Sequence, residues 1–227
     1  MSQLALPLKL ADHAVFESFH GVGNETTVAA LERLAAAGRG GAWIWGGGGT
    51  GKTHLLQAVC ASAGDSAMYL PFADLAVADP ALVDGLEERA LICVDDIDRV
   101  AGDPGWEQAL FSLYNALAER GRGLLVASTA SPREAGFRLA DLESRLKQLP
   151  VFRLRALDDA DRADALRLRA RHRGLDLPRA TASYLLKRSR RDMKSLYALL
   201  DTLDSAALSQ QRRLTVPFVR AVLDSGA

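Results

Sequence analysis

Long apolar runs, paired cysteine motifs and an excess of one charge sign are all absent from this sequence, and each absence excludes a class of protein. No apolar run approaches the roughly 20 residues that a membrane-spanning helix needs, so no membrane association is expected. Pro7 and Lys9 interrupt the leucines of the N-terminus, which argues against a secretory signal peptide. The two cysteines, Cys60 and Cys93, lack C-x-x-C spacing and fit buried thiols in a reducing cytosol. We therefore expect a cytoplasmic protein.

Basic and acidic residues are equal in number but unevenly distributed along the chain. The 28 Lys and Arg residues equal the 28 Asp and Glu residues, so the net charge is zero. Residues 1–150 contain 12 basic and 19 acidic residues, a net of −7, whereas residues 151–227 contain 16 and 9, a net of +7. This difference predicts a boundary near Pro150. The basic C-terminal part either faces phosphates or an acidic partner, or simply complements the first part.

The most informative stretch is rich in glycine and has the pattern G-x-x-x-x-G-K-[ST] of a phosphate-binding loop. It consists of Gly46, Gly47, Gly48, Gly49, Thr50, Gly51, Lys52 and Thr53. A triphosphate needs inward-pointing backbone N–H donors, and only glycine takes the required turn at low cost. Lys52 would neutralise the outer phosphates, and the Thr53 hydroxyl would be a ligand of Mg²⁺. The stretch therefore predicts a nucleotide site.

The residues around the loop have the order that such a site demands. Residues 42–45 form a short apolar run that reads as a buried strand, and residues 54–60 repeat apolar residues at helical spacing. A helix beginning near Thr53 would direct the positive end of its dipole at the phosphates. Strand, glycine loop and helix together favour nucleotide binding over a merely flexible turn.

Adjacent carboxylates follow a second apolar run. Residues 91–94 are all apolar, as in a strand buried on both faces, and Asp95 and Asp96 come next. Functional groups in parallel α/β sheets gather at the C-terminal ends of strands. Asp95 would hold Mg²⁺, usually through water, and Asp96 would orient or activate the attacking water.

Thr129 follows a third buried strand, over residues 123–127. Its hydroxyl could contact the terminal phosphate or the attacking water, or it could equally cap the next turn.

The pattern of elements predicts a three-layer α/β P-loop domain with a mostly parallel five-stranded sheet, followed by a small all-helical lid. Asn24 is a plausible N-cap for a helix that begins at Glu25. From Leu157 onward the periodicity is purely helical. We predict an extended arm over residues 1–12, a nucleotide-binding domain over residues 13–156 and the lid over residues 157–227.

The N-terminal arm carries its own signal. Pro7 disfavours a helix, so residues 1–9 should be extended. An extended peptide could place Leu6 and Leu8 in an apolar pocket of a partner while Gln3 forms a hydrogen bond at its rim. The arm could instead fold back on its own domain, and the residues alone do not decide.

A nucleotide domain followed by a helical lid resembles the AAA+ ATPases, and one branch resembles this chain closely. Residues 51–56 and 94–97 look like the corresponding motifs of the replication initiator DnaA, but the sequence stops at the lid, without a DNA-binding helix-turn-helix domain. That pattern is similar to the Hda family of shorter DnaA homologues. Residues 3–8, 106–115, 168–174 and 212–219 carry the same resemblance.

The resemblance implies partners and site residues. Family members bind the DNA polymerase sliding clamp through an N-terminal motif that is represented here by Gln3, Leu4, Leu6, Pro7 and Leu8. They promote hydrolysis of the ATP held by DnaA, so the protein would act mainly as an activator, with Mg and ADP or ATP in its own site. An arginine in a Ser-Arg-Leu context, here Arg145, would act on DnaA as an arginine finger. Without the resemblance, the interpretation of Arg145 as a helix C-terminal cation with local contacts would be preferred.

The resemblance also extends the nucleotide site. It adds His54, directly after the loop, and a lid position that is usually arginine but is Lys194 here. A lysine can neutralise the charge of a phosphate, but unlike arginine it cannot donate two parallel hydrogen bonds to two phosphate oxygens. A homodimer or larger oligomer is consistent with the family, and DNA would be contacted only indirectly.

One other function remains open at this stage. The phosphate loop is complete, whereas family members can carry an eroded one, so the chain could be an autonomous ATPase or loader acting on DNA. Against that reading, no recognised DNA-reading module is present and the overall charge is neutral. A small-metabolite kinase fits poorly, because no second polar pocket for an acceptor can be identified between the motifs.

Overall fold

The computed structural model describes residues 14–188, 192–210 and 212–225, with the backbone alone at Lys194 and Ser225. The chain divides into two compact units. The first unit runs to Arg155, and the second comprises Ala156 onward together with Glu17–Gly23 and Gly48–Thr50. The predicted arm over residues 1–12 lies outside the described residues.

The first unit is built on one sheet of five parallel strands, as predicted. The strands are β1 (Gly40–Trp45), β2 (Ala67–Pro71), β3 (Leu91–Asp95), β4 (Gly123–Ser128) and β5 (Val151–Arg153). Their order across the sheet is β2-β3-β4-β1-β5. Every residue of β3 and β4 is buried, because helices cover both faces of a parallel sheet.

Five helices of the first unit connect and cover these strands. They are α1 (Glu25–Ala37), α2 (Lys52–Ala63), α3 (Phe72–Leu75), α4 (Pro104–Glu119) and α5 (Ala140–Leu146). The Phe72 and Trp106 rings pack at 4.9 Å between α3 and α4. Helix α4 begins with an Asp103 carboxylate that accepts a hydrogen bond from Trp106 N, followed by Pro104, a residue pre-organised for a first turn.

The interpretation of Asn24 as an N-cap is only half right. Helix α1 does begin at Glu25, but the Asn24 side chain makes no capping hydrogen bond. Its Oδ1 instead accepts from Arg155 N at 2.8 Å. Asn24 is buried, so its amide oxygen satisfies a backbone group from a distant part of the chain rather than the helix that follows it.

The second unit is a small helical bundle, as expected for the lid. Its helices are α6 (Asp159–His172), α7 (Arg179–Arg188), α8 (Met193–Gln210) and α9 (Val216–Ser225). Asp158 and Asp161 form a reciprocal capping box that starts α6. The apolar face of α8 is buried, at Met193, Leu196, Leu200, Leu203 and Ala207. None of the helices in the described part of the chain is long and apolar enough to cross a membrane.

Candidate nucleotide site and arginine finger

The glycine-rich loop connects β1 to α2, so a parallel strand, the loop and a helix N-terminus succeed one another as predicted. Gly49 has φ 75° and Gly51, which precedes the first turn of α2, has φ 93°. Side chains are strained in that left-handed region, so glycine is needed at both positions for backbone reasons.

Gly47 and Gly48 require a different explanation. Neither has a positive φ, and a Cβ added to either would meet no atom within 4 Å. The fold itself therefore does not demand glycine at these two positions. The close approach of a ligand to the backbone would account for glycine here, because phosphate oxygens accept directly from loop N–H groups.

Replacing Gly47 with alanine is expected to weaken nucleotide binding about tenfold, the cost of losing roughly one hydrogen bond to a charged ligand. The midpoint of thermal unfolding without nucleotide should stay within a few degrees, since the added methyl group meets nothing in the protein. Calorimetric titration and thermal denaturation of both proteins measure the two effects. Unchanged affinity in a folded variant would show that nothing approaches the Gly47 backbone.

Lys52 lies against the loop that precedes it. Its side chain is only 7% exposed, and Nζ donates hydrogen bonds to Gly46 O at 2.8 Å and to Gly47 O at 3.1 Å. The ammonium group therefore sits at the loop backbone, where the predicted phosphate site lies, and it retains a third donor for a ligand oxygen.

Asp95 is the last residue of β3 and is 2% exposed. Tyr69 OH donates to its Oδ2 at 2.8 Å, and Asp96 N donates to Oδ1 at 3.1 Å. Burial raises the pKa of Asp95, and hydrogen bonds with the side chains of Thr53 and Tyr69 oppose that rise. Burial and the neighbouring Asp95 charge raise the pKa of Tyr69, so the phenol remains a donor.

The chemistry of this pair fits Mg²⁺. Thr53, at the start of α2, and Asp95, at the end of β3, offer two hard oxygen ligands, and hydrogen bonding with the Thr53 side chain acts to lower the pKa of Asp95. Magnesium in nucleotide sites is typically held by one or two such groups, with phosphate oxygens and water completing the shell. Among the described residues, no group of three or more His, Cys, Asp or Glu side chains forms an all-protein metal site. Thr53 and Asp95 would therefore hold the ion only together with a bound nucleotide.

Asp96 stands in an unusual backbone conformation. Its φ of 53° makes it the one non-glycine residue with a positive φ in the described ranges. Left-handed angles at non-glycine residues cost energy and cluster at functional sites, although aspartate tolerates them better than most residues. The conformation supports a functional reason for a carboxylate here.

Thr129 forms two hydrogen bonds with Asp98, a residue that the sequence analysis did not select as functional. Its hydroxyl donates to Asp98 Oδ2 at 2.7 Å, and its N–H donates to Asp98 Oδ1 at 3.1 Å. Burial would raise the pKa of Asp98, but hydrogen bonds from Thr129 and Ser128 prevail and lower it. The single hydroxyl proton of Thr129 is thus committed, and the oxygen can only accept. In this arrangement Thr129 suits a water molecule better than a phosphate oxygen. The next turn is capped by Ser128, whose Oγ accepts from Ala130 N.

Seven further predicted site residues are His54, Lys194 and the five residues of the arm. His54 Nε2 lies 2.9 Å from Val15 O, which requires a proton on that nitrogen, so the ring holds the segment ahead of α1. Lys194 lies in α8, but its side chain is outside the described part. The arm residues Gln3, Leu4, Leu6, Pro7 and Leu8 are also outside it.

Arg145 lies in the last turn of α5 and is exposed. Two neighbours on the helix, Leu142 and Leu146, are buried in the core of the first unit and fix the helix face. Lys147 forms an ion pair with Glu143 at 2.6 Å, but no described residue forms a hydrogen bond or ion pair with the Arg145 guanidinium. The expectation of local contacts therefore finds no partner among these residues.

Tyr69, Asp98 and Glu107 were missed by the sequence reasoning. Glu107 did leave a signal, because it lies three residues before Leu110 on the apolar stripe that continues at Leu113 and Leu117. A charged residue in such a stripe indicates a buried polar contact. Tyr69 and Asp98 left none, because their partners are set by strand pairing.

The chain is similar in fold to DnaA structures. It superimposes on domain III of DnaA from Thermotoga maritima with a TM-score of 0.76 and 21% identity, over 96% of this chain and 98% of that one. AMPPCP-bound DnaA from Aquifex aeolicus gives a TM-score of 0.70 and 21% identity, over 86% of this chain and 65% of that one. A Thermotoga maritima RuvB mutant gives 0.67 and 17%, over 93% and 72%.

The sequence adds a more specific similarity in the second unit. Residues 159–223, which span α6 to α9 almost completely, match the family described as the lid domain of Hda. The chain therefore has a fold similar to that of DnaA domain III, and its second unit is similar in sequence to the lid domain of Hda.

Proposed function

We propose that the protein is a nucleotide-bound regulator that stimulates hydrolysis of the ATP held by DnaA. The observation that carries this proposal is the exposed Arg145 guanidinium, which has no ion-pair partner among the described residues and stands on a helix anchored by Leu142 and Leu146. The Hda-type lid and the DnaA-like fold support the choice of DnaA as the substrate-bearing partner.

The protein's own nucleotide would lie along the glycine-rich loop. Loop N–H groups and Lys52 would bind the phosphates, and Thr53 and Asp95 would hold Mg²⁺. A bound metal ion there neutralises phosphate charge. We propose ADP as the nucleotide that supports the regulatory role, by analogy with the family.

Arg145 would act on the neighbouring molecule. Its planar guanidinium can donate two parallel hydrogen bonds to oxygens of the phosphoryl group that DnaA transfers to water. Negative charge spreads over these oxygens in the transition state, so a fixed cation beside them lowers the barrier. The residue thereby completes a site that belongs to its partner.

The direct test uses DnaA loaded with γ-labelled ATP and freed of excess nucleotide. Adding this protein with DNA-loaded sliding clamp is expected to accelerate release of labelled phosphate in a single turnover. Omitting the clamp should remove most of the acceleration at low protein concentration. An unchanged rate at saturating protein would refute the proposed function.

The arm gives a separate prediction. Deleting residues 2–8 removes Gln3, Leu4, Leu6, Pro7 and Leu8, which we propose to be the clamp-binding peptide. Retention on immobilised clamp should fall at least about tenfold, since a few anchor residues carry most of such binding energy. If these residues serve only to bind the clamp, thermal stability should not change. A double change of Gln3 and Leu6 to alanine is the milder companion, and retention that survives both would reject this role.

An autonomous ATPase is the second candidate, favoured by the complete loop with its buried Lys52 and Asp95. One of the RuvB structures with a similar fold is described as a Holliday junction branch migration motor. Steady-state hydrolysis by the protein alone, with and without DNA, separates the two functions. We expect slow turnover that DNA does not stimulate, and fast DNA-dependent turnover would favour the motor.

A further inference from the structure

One buried carboxylate joins two loops of the first unit. Glu107, in the first turn of α4, is 2% exposed. Its Oε1 accepts from Gly102 N at 2.6 Å, and its Oε2 accepts from Leu139 N at 2.6 Å. Arg138 N donates to both oxygens, at 3.0 and 3.1 Å. Three backbone donors therefore satisfy one side chain.

These donors lie next to the Asp95–Asp96 segment and to the helix that carries Arg145. Gly102 ends the turn that follows Asp95, Asp96 and the short helix Ile97–Arg99. Leu139 is the N-cap residue of α5, the helix that carries Arg145. Leucine has no side-chain oxygen with which to cap, and the Glu107 carboxylate instead accepts from the cap residue and its predecessor.

Helix α5 needs such an anchor. It has only seven residues, and helices this short are not stable on their own. Leu142 and Leu146 hold one face against the core, which leaves the start of the helix to be fixed by other contacts. The Arg145 side chain has no described partner of its own, so its location depends on where α5 is held.

We propose that Glu107 is a positioning residue for Arg145, acting through the N–H groups of Arg138 and Leu139. This inference rests on the proposed function, because it takes Arg145 as the group that acts on DnaA. A carboxylate is the suitable anchor because both of its oxygens are acceptors and it brings negative charge to the positive end of α5.

The first variant is Glu107→Gln, which keeps the shape but offers one acceptor oxygen and turns an amide N–H₂ toward backbone donors. The maximal rate of stimulated hydrolysis of DnaA-bound ATP should fall about tenfold or more, as expected when a catalytic group is misplaced by a fraction of an ångström. The protein concentration for half-maximal stimulation should stay within about twofold, because the binding surfaces are unchanged. Glu119→Gln makes the same change at an exposed position on α4 and should have no effect.

A double variant tests whether Glu107 acts through Arg145. On an Arg145→Ala background, Glu107→Gln should cause no further loss, because the group that it positions is already absent. Amide hydrogen exchange supplies a readout independent of activity. Exchange at Gly102, Arg138 and Leu139 should accelerate in Glu107→Gln, while amides of β3 and β4 should keep their protection.

Leu139→Pro covers the case in which Glu107→Gln fails to fold. Leu139 has φ −75°, which proline adopts, but the proline ring carbon would replace the N–H that donates to Glu107 Oε2 and would displace that oxygen. The change also removes a leucine side chain that packs against the core. We expect a loss of maximal rate comparable to that in Glu107→Gln.

Full maximal rate in Glu107→Gln, or additive losses in the double variant, overturns the inference while leaving the proposed function intact. Retained stimulation in Arg145→Ala alone overturns the proposed function, and this inference with it.

Discussion

Arg145→Ala is expected to lower the stimulated rate of DnaA-bound ATP hydrolysis at least about 10³-fold, the contribution of a typical arginine finger. The change removes a cation from the exposed end of α5, and no hydrogen bond or ion pair within the described part of the chain is lost with it. Nucleotide affinity, clamp retention and thermal stability should therefore match those of the unchanged protein. Single-turnover release of labelled phosphate from DnaA measures the effect.

Two further variants sharpen that experiment. Arg133→Ala removes a guanidinium that is also exposed on the first unit and should retain full stimulation. Arg145→Lys keeps the charge but cannot form two parallel hydrogen bonds, so it should recover only a small part of the rate. Equal losses in Arg133→Ala and Arg145→Ala would point to a general electrostatic effect and against a specific finger.

Lys52→Ala is expected to raise the Kd for ADP or ATP about 10- to 100-fold, because a hydrogen bond to a charged group contributes about 1.5–3 kcal/mol. The ammonium group is held at the loop by Gly46 O and Gly47 O, so it needs little reorganisation to reach a phosphate. Its loss removes that attraction and also two contacts within the loop. Titration calorimetry with both nucleotides measures the effect.

Lys147→Ala serves as the matched control, because it removes an ammonium group from an exposed position directly after α5. Its nucleotide affinity should be unchanged. Should Lys52→Ala bind nucleotide as well as the unchanged protein, the loop would not be the phosphate site, however closely it matches the motif.

The parts of the fold that could be predicted depend on local patterns. The apolar runs at residues 91–94 and 123–127 indicated strands buried on both faces, and both strands are fully buried. The regular apolar spacing from Met193 to Ala207 indicated a helix with one buried face, which α8 has. The helix follows from the period of its apolar side chains, whereas the two strands follow from short runs that are apolar throughout.

The contacts that could not be predicted join residues far apart in the chain. Tyr69 reaches Asp95 because β2 and β3 pair in parallel, and no feature of either segment specifies that pairing. Glu107 satisfies N–H groups about 30 residues away, and Asn24 one more than 130 residues away. The sequence indicated which residues carry chemistry but not which neighbours hold them in place, because that depends on the order of strands in the sheet.

The left-handed turn at Asp96 gives two consecutive aspartates different surroundings. The chain leaves the strand between them, so Asp95 stays inside with Tyr69 and Thr53 while Asp96 is partly open to solvent. A regular continuation of β3 would have sent the two side chains to opposite faces of a covered sheet. The bend keeps a buried carboxylate and a partly exposed one next to each other. The two aspartates can take different roles because their surroundings differ, although their side chains are chemically identical.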